Sequence, residues 1–235
     1  MLSEAYSYAG FATRIAVTKA FVLALLRGLA ERRAELLSLT VRADRRLTQG
    51  GPAWFGRDTA FGDPEELPVL VGAVDRVEGA DGRPLRFVRR DEATPETMPV
   101  VRRFRAHAWR RLPHAWAVAA PPAAVTERLR WHGVSFETLT APREVSARAF
   151  AIAKIRRPKR PYQGHQAVEV TGSWLDAARV ELPAGAIVVP ARQRLARVAA
   201  TLLEPDSEDG LTTWNFFDDA LGERHPVLRV VQQLR

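Results

Sequence analysis

Residues 115–139 read AWAVAAPPAAVTERLRWHGVSFETL, and this stretch decides the fold class. The apolar run Ala115–Ala119 predicts a buried strand, and the two prolines that follow it are typical of a helix start. The helix is expected to end at Gly133, after which Val134–Leu139 returns to an extended pattern. Because a strand–helix–strand unit needs a sheet for its strands to join, the sequence predicts an α/β (α+β) fold.

Similar signals on both sides of this unit extend the predicted sheet. Upstream, strand-like runs lie at Leu67–Val77 and Leu85–Arg90, with Asp81-Gly82 as the turn between them. Downstream, the pattern predicts strands at 145–153, 167–180 and 187–189 and a helix at 192–203. The sequence from residue 67 to residue 235 therefore predicts a mixed, β-rich C-terminal domain.

A long amphipathic helix is predicted from Phe11 to about Leu39. Its apolar residues recur at helical spacing and line one face: Ile15, Val22, Leu25, Leu26, Leu29, Leu36 and Leu37. We expect this face to pack along a sheet that the chain only partly contains. The Gly- and Pro-rich residues 49–66 predict a linker, which separates a first domain at 1–48 from the second at 67–235.

Composition narrows the class of protein. The chain has 235 residues, 46% of them hydrophobic, so it can bury a proper core. Its densest apolar run, Ala20–Leu26, is far too short to span a bilayer, and no secretory signal pattern opens the sequence. We expect a soluble chain without a membrane partner, for which any export signal would lie upstream of Met1. The absence of cysteine excludes disulfides and thiolate metal sites but does not identify the compartment.

The net charge of +8 raises the question of nucleic-acid binding. Most of the cations are arginines that are dispersed along the chain and mixed with carboxylates. The one dense basic run, Lys154–Arg160, is flanked and interrupted by prolines, which favours a solvated loop. No aromatic stacking ladder accompanies it, so nucleic-acid binding is the least favoured of the readings kept open here.

The most specific pattern in the chain is LLEPDSEDGLTTWNFFD at residues 202–218, followed by Pro-Val-Leu-Arg at 226–229. In order, it contains Leu-Leu-Glu-Pro, a serine two residues later, Asp-Gly-Leu and Trp-Asn. This pattern closely resembles the tail of bacterial members of the carboxypeptidase A-like zinc metallopeptidases. Segments at 128–134, 161–165 and 182–185 also resemble members of that family.

The N-terminal segment SEAYSY, Ser3–Tyr8, leads into the long helix. This arrangement resembles the terminal strand, catalytic glutamate and closing helix of the same family's α/β/α catalytic domain. The resemblance implies that residues 1–48 are the C-terminal remnant of that domain and that Glu4 occupies the position of the general base.

The resemblance also implies a zinc ion in the intact family, held by a His-x-x-Glu pair and a distant second histidine. None of the five histidines of this chain is followed by glutamate three residues later: His107, His114, His132, His165 and His225. We therefore assign no metal ligand and no cofactor to this chain alone. The acidic residues of the tail are read as a structural turn rather than a calcium site, because the spacing of a calcium-binding loop is missing: Glu204, Asp206, Glu208 and Asp209. Trp214, Phe216 and Phe217 are expected to anchor this loop to the core.

Three functions stay open at this point. The first is the C-terminal portion of a zinc metallocarboxypeptidase, whose intact form would remove C-terminal residues from peptides; this chain alone is expected to be inactive. Its missing N-terminal catalytic half would then be a partner. The second is a non-catalytic accessory or protein-binding domain. The third is a basic nucleic-acid-binding protein.

Overall fold

The computed structural model describes residues 4–7, 9–49, 53–161 and 164–233. Its contacts divide the chain into two compact units, one formed by residues 54–110 and the other by the remainder of the chain. Helices and mostly antiparallel sheets make up the described residues, which confirms the predicted α+β class. No helix within these ranges is both long and apolar enough to cross a membrane.

Two helices form the predicted long helical segment, α1 (Phe11–Glu31) and α2 (Arg33–Thr48), with Arg32 between them. The helix is therefore confirmed, although it extends beyond the predicted end. All residues of α1 and α2 are described, and none of them is buried. The predicted apolar face is exposed: Leu26 is 56% exposed and Leu37 is 52% exposed.

The terminal strand implied for Ser3–Tyr8 is not formed by residues 4–7, and Ser3 and Tyr8 lie outside the described residues. A strand needs a neighbouring strand to share its backbone hydrogen bonds, and residues 4–7 pair with none. The segment turns instead, since Ala9 N donates a hydrogen bond to Tyr6 O at 3.0 Å.

The unit at residues 54–110 consists of paired strands. β1 (Trp54–Phe61) lies within the stretch predicted as a linker and pairs with β4 (Phe104–Arg111). β2 (Glu65–Glu78) and β3 (Pro84–Val100) form an antiparallel hairpin. The two predicted strands and the turn between them are thus confirmed, and Gly82 adopts the positive φ of 72° that such a turn requires.

The larger unit contains a seven-stranded sheet with the order β6-β10-β5-β11-β7-β8, in which β9 also pairs with β7. The bounds of its strands are β5 (Ala115–Val118), β6 (Glu137–Thr138), β7 (Arg143–Arg156), β8 (Glu169–Trp174), β9 (Ala178–Leu182), β10 (Ile187–Pro190) and β11 (Arg224–Gln233). All four residues of β5 are buried, as its unbroken apolar run predicts. The core of the molecule therefore lies around β5 and its neighbours β10 and β11.

The single strand predicted at 167–180 is wrong, because β8 and β9 are separate strands. Both pair with the long strand β7: β8 with its second half, and β9 with its first half. The chain turns after Trp174, where Leu175 N donates a hydrogen bond to Ala149 O at 2.9 Å. An apolar pattern cannot reveal such a turn, since both strands carry similar alternation.

Two helices accompany this sheet, α3 (Ala123–Trp131) and α4 (Ala196–Leu203). The end of α3 follows the prediction, since Gly133 has a φ of 71°. Val134 N donates to Leu129 O at 2.9 Å and Gly133 N donates to Arg130 O at 2.9 Å, the two bonds of a Schellman motif. The apolar side chains of Leu129 and Val134 are both buried, so the end of the helix is fixed to the core.

We predict that replacing exposed leucines of the helical pair leaves the stability of the larger unit unchanged. The double substitution Leu26→Gln, Leu37→Gln should reduce self-association, because it removes exposed apolar surface without removing buried contacts. Its matched control is Leu129→Ala, a fully buried leucine, which should lower the free energy of unfolding by about 2–5 kcal/mol. Denaturant unfolding and sedimentation of the three proteins check both effects. A clearly lower free energy of unfolding in the double variant than in the native chain would contradict the exposed placement of this face.

Candidate ligand-binding cleft

Glu4, the predicted catalytic residue, lies in an irregular segment and is exposed. Among the described residues, no group of three or more His, Asp or Glu side chains could hold a metal ion. Glu169 follows His165 by four residues, but the intervening chain is not helical and the Glu169 carboxylate is paired with Arg156. The donor set that the structure describes therefore does not fit a catalytic zinc, and we derive no step through one.

The acidic tail has a different centre, a buried carboxylate at the end of α4. Glu204 is fully buried, and its Oε1 accepts a hydrogen bond from Trp116 Nε1 at 2.8 Å. Arg229 donates two more, from Nε to Oε1 at 3.0 Å and from Nη2 to Oε2 at 2.5 Å. The Arg229 guanidinium in turn lies 4.4 Å from the ring centre of Trp174. A carboxylate at a helix C-terminus is disfavoured by the helix dipole, so this arginine is needed to hold it there.

A buried histidine on β11, His225, contacts the same tail at Thr212. His225 Nδ1 accepts the backbone N–H of Val227 at 3.2 Å, so Nε2 carries the proton of the neutral ring and donates it to Thr212 Oγ1 at 2.9 Å. Burial lowers the pKa of His225 from its ordinary value of 6.5 to about 4, although the nearby Asp206 charge acts in the opposite direction. The ring is therefore neutral at pH 7, and it packs edge-on against the buried Phe217.

Residues 204–217 form a loop, called here the tail loop, that lies directly on α4. Leu211 N donates to Leu202 O at 2.9 Å. Gly210 permits this approach, because a Cβ at that position would lie 2.8 Å from Thr201 O. Asn215 has a φ of 66°, a conformation that asparagine tolerates better than most residues. Backbone geometry thus explains the Gly-Leu part of Asp-Gly-Leu and the asparagine of Trp-Asn.

A cleft of about 440 Å³ opens between α3, α4 and the tail loop. Its floor is apolar, while its walls carry a cation, an imidazole, a carboxylate and two aromatic rings. The residues that define it are Arg128, His132, Leu202, Asp209, Trp214 and Phe216. The segments 128–134 and 202–218, which carry the resemblance in sequence, therefore meet at one concave surface.

Arg128 is held on one wall of this cleft by aromatic rings. Its guanidinium carbon lies 4.3 Å from the ring centre of Trp131 and 5.1 Å from that of Phe216. It forms no ion pair with any described residue, and its Nε is buried without a hydrogen-bond partner in that part of the chain. At the C-terminal end of the same helix, His132 Nδ1 donates a hydrogen bond to the backbone carbonyl oxygen of Arg128 at 2.8 Å. This fixes the tautomer of a neutral His132 and leaves its Nε2 available.

The opposite wall is built on Trp214. Its Nε1 donates to Asp209 Oδ1 at 2.5 Å, and its ring stacks on His165 at 4.4 Å between centres. His165 is fixed in turn by a 3.0 Å hydrogen bond from Nε2 to Thr213 O. The indole is nevertheless 43% exposed. A large, rigid aromatic surface therefore faces solvent beside a cation.

The sequence predicts neither this cleft nor its site residues, although the segments 128–134 and 202–218 that carry the resemblance both line it. The tail aromatics were expected to anchor the loop to the core, which holds for Phe217, whereas Trp214 is exposed and Phe216 lines the cleft. The resemblance includes Arg128 within the segment 128–134 but assigns it no role. The signal that could have identified it is its spacing of three residues from Trp131 on a helix, which places a cation over an indole.

The predicted structural turn at the acidic residues can be described for two of its members. Glu204 takes part in the buried ion pair, and Asp209 accepts the hydrogen bond from Trp214. Each of these two carboxylates therefore has a protein partner, and of the two only Asp209 lines the cleft.

Comparisons with protein-family models, with curated proteins and with solved structures found no match for this chain. The cleft is therefore assigned from its own geometry. An apolar concave surface with a few converging polar groups is the usual form of a small-molecule site.

We predict that Arg229→Met lowers the free energy of unfolding by about 3–5 kcal/mol, because it leaves the Glu204 carboxylate buried without its cation. The matched control is Arg156→Met on β7. The Arg156–Glu169 pair is 59% and 43% exposed, compared with 13% and 0% for Arg229–Glu204, so the control should change stability by no more than about 1 kcal/mol. Urea unfolding measures both. Equal losses of unfolding free energy in the two variants would show that burial does not increase the cost of removing the arginine.

We also predict an acid-sensitive component of stability from His225. Since its folded pKa of about 4 lies below the ordinary value of 6.5, the unfolded chain takes up the proton first as pH falls. The contribution is complete above pH 6.5 and is lost between about pH 6.5 and pH 4, amounting to roughly 3 kcal/mol. Unfolding measured across this range should show the loss in the native chain but not in His225→Gln. The exposed His132→Gln is the control and should keep the native profile. Parallel profiles for the native chain and His225→Gln would contradict the buried, neutral imidazole.

Proposed function

We propose that this chain is the C-terminal portion of a zinc metallocarboxypeptidase and that it is catalytically inactive alone. In this proposal α1 and α2 pack against the metal-binding half of the catalytic domain, and the larger unit's sheet with the tail loop forms the adjoining C-terminal domain. The support in sequence is the ordered tail pattern at residues 202–229 together with SEAYSY before the helix.

The observation that carries the proposal is the uncovered apolar face of α1 and α2. Across 37 residues of regular helix, 21 in α1 and 16 in α2, none is buried. Such helices derive most of their stability from packing of the apolar face, not from helix propensity. A sheet supplied by a metal-binding half is the occupant that we assign to this face. In an α/β/α domain, helices cover the sheet with an apolar face, and α1 and α2 carry such a face.

The proposed role of Glu4 follows from the resemblance alone. In a zinc peptidase a carboxylate takes the proton of the metal-activated water and passes it to the leaving amine. Glu4 is exposed, and no group of three or more His, Asp or Glu side chains among the described residues could hold a metal ion near it. In the intact enzyme the missing half would supply the metal site.

A second candidate function, a non-catalytic binding domain, is favoured by the cleft beside the tail loop. This reading does not require the helix face to belong to a catalytic domain. The nucleic-acid reading has less support, because two arginines of the basic run are paired with carboxylates, Arg156 with Glu169 and Arg157 with Asp218.

We predict that the purified chain binds no stoichiometric zinc and releases no C-terminal residues from peptides. Metal analysis after dialysis against zinc, together with an assay of amino acids released from N-blocked peptides, measures both. Glu4→Gln should behave as the unsubstituted chain does. Stoichiometric zinc with peptidase activity that Glu4→Gln abolishes would overturn the predicted inactivity.

A further inference from the structure

The cleft beside the tail loop contains a cation whose polar edge has no partner among the described residues. Arg128 is partly buried between Trp131 and Phe216, and its Nε is inaccessible to solvent and unpaired there. Leaving a buried donor unsatisfied is costly, and donors of charged groups cost most. Because Nε itself is inaccessible, the two Nη groups of Arg128 are the donors that a ligand in the cleft can reach.

The way Arg128 is held determines which ligand group it can take. Aromatic rings near the guanidinium favour its planar faces and leave the N–H groups at its edge as the available donors. An edge of this kind matches two oxygens of one planar acceptor, as in a carboxylate. The stacking also restricts the side chain beforehand, so less conformational entropy is lost on binding.

The remaining lining limits the charge and the shape of the ligand. Arg128 is the one arginine that lines the cleft, and the Asp209 carboxylate on the same cleft repels a dianion such as phosphate more strongly than a monoanion. Leu202, Trp214 and Phe216 provide apolar and aromatic surface next to Arg128. The cleft therefore suits one negative charge attached to an apolar body.

We propose that this cleft binds an apolar monocarboxylate, with the carboxylate on the Arg128 edge and the apolar body against Trp214 and Phe216. This site is separate from Glu4 and does not depend on the peptidase assignment. It gives the larger unit a ligand-binding activity of its own.

The test uses the full chain and two probes of equal shape, 2-naphthoate and its neutral amide, 2-naphthamide. Titrations followed by calorimetry and by the indole N–H resonance of Trp214 should show saturable binding of the acid. Because a charge-assisted hydrogen bond is lost, we expect the amide to bind about tenfold more weakly or worse. Inorganic phosphate should not compete with the acid at equal concentration.

The variant Arg128→Met should remove the preference for the acid over the amide. Its matched control is Arg130→Met on the same helix, where Arg130 stacks on Phe136 and does not line the cleft, so binding should be unchanged. If Arg128→Met does not fold, Trp214→Leu serves instead. It replaces a 43% exposed ring and should weaken both probes while keeping their ratio.

Several results would overturn the proposal. Absence of saturable 2-naphthoate binding at millimolar concentration is one, and equal affinity for acid and amide is another. Competition by phosphate at equal concentration would indicate an anion site of different chemistry. A normal acid preference in folded Arg128→Met would remove Arg128 from the site.

Discussion

The buried Glu204–Arg229 ion pair is the interaction on which the rest of the larger unit depends. Glu204 ends α4, Arg229 lies on β11, and Trp116 on the central strand β5 donates to the same carboxylate. One charged group therefore joins a helix end to two core strands at the point where the tail loop begins. Because an unpaired buried carboxylate is so costly, the tail loop has one favoured starting position. Because the tail loop forms one side of the cleft, the same ion pair also fixes where the cleft lies.

The sequence predicted those elements whose local signals agree with their environment. The fully apolar run at 115–118 became the central buried strand, and Gly133 ended α3 in the left-handed conformation that glycine favours. Failures occurred where distant contacts decide the outcome. The turn between β8 and β9 depends on pairing with β7, and the exposure of Trp214 depends on where the tail loop meets α4. The cleft combines segments about 80 residues apart, which periodicity cannot detect.

The two parts of the larger unit differ in how much of their apolar surface they bury. Its sheet, α3 and α4 bury a continuous apolar core around β5, whereas α1 and α2 bury none of their residues. A 2.8 Å ion pair between Arg194 and Asp44 connects α2 to the sheet-bearing part. Exposed pairs of this kind contribute little stability. The helical pair therefore has an apolar face without a partner next to a domain with a complete core, and this contrast is the physical basis of the proposed function.

The intact mass and zinc content of the endogenous protein, isolated from its native cells, test the central claim most directly. The proposal predicts that the peptides of this chain are found in a zinc-containing species well above 26.2 kDa, either as one longer polypeptide or as a stable complex. A monomeric, zinc-free protein of 26.2 kDa would contradict it. The apolar face of α1 and α2 would then need a different explanation.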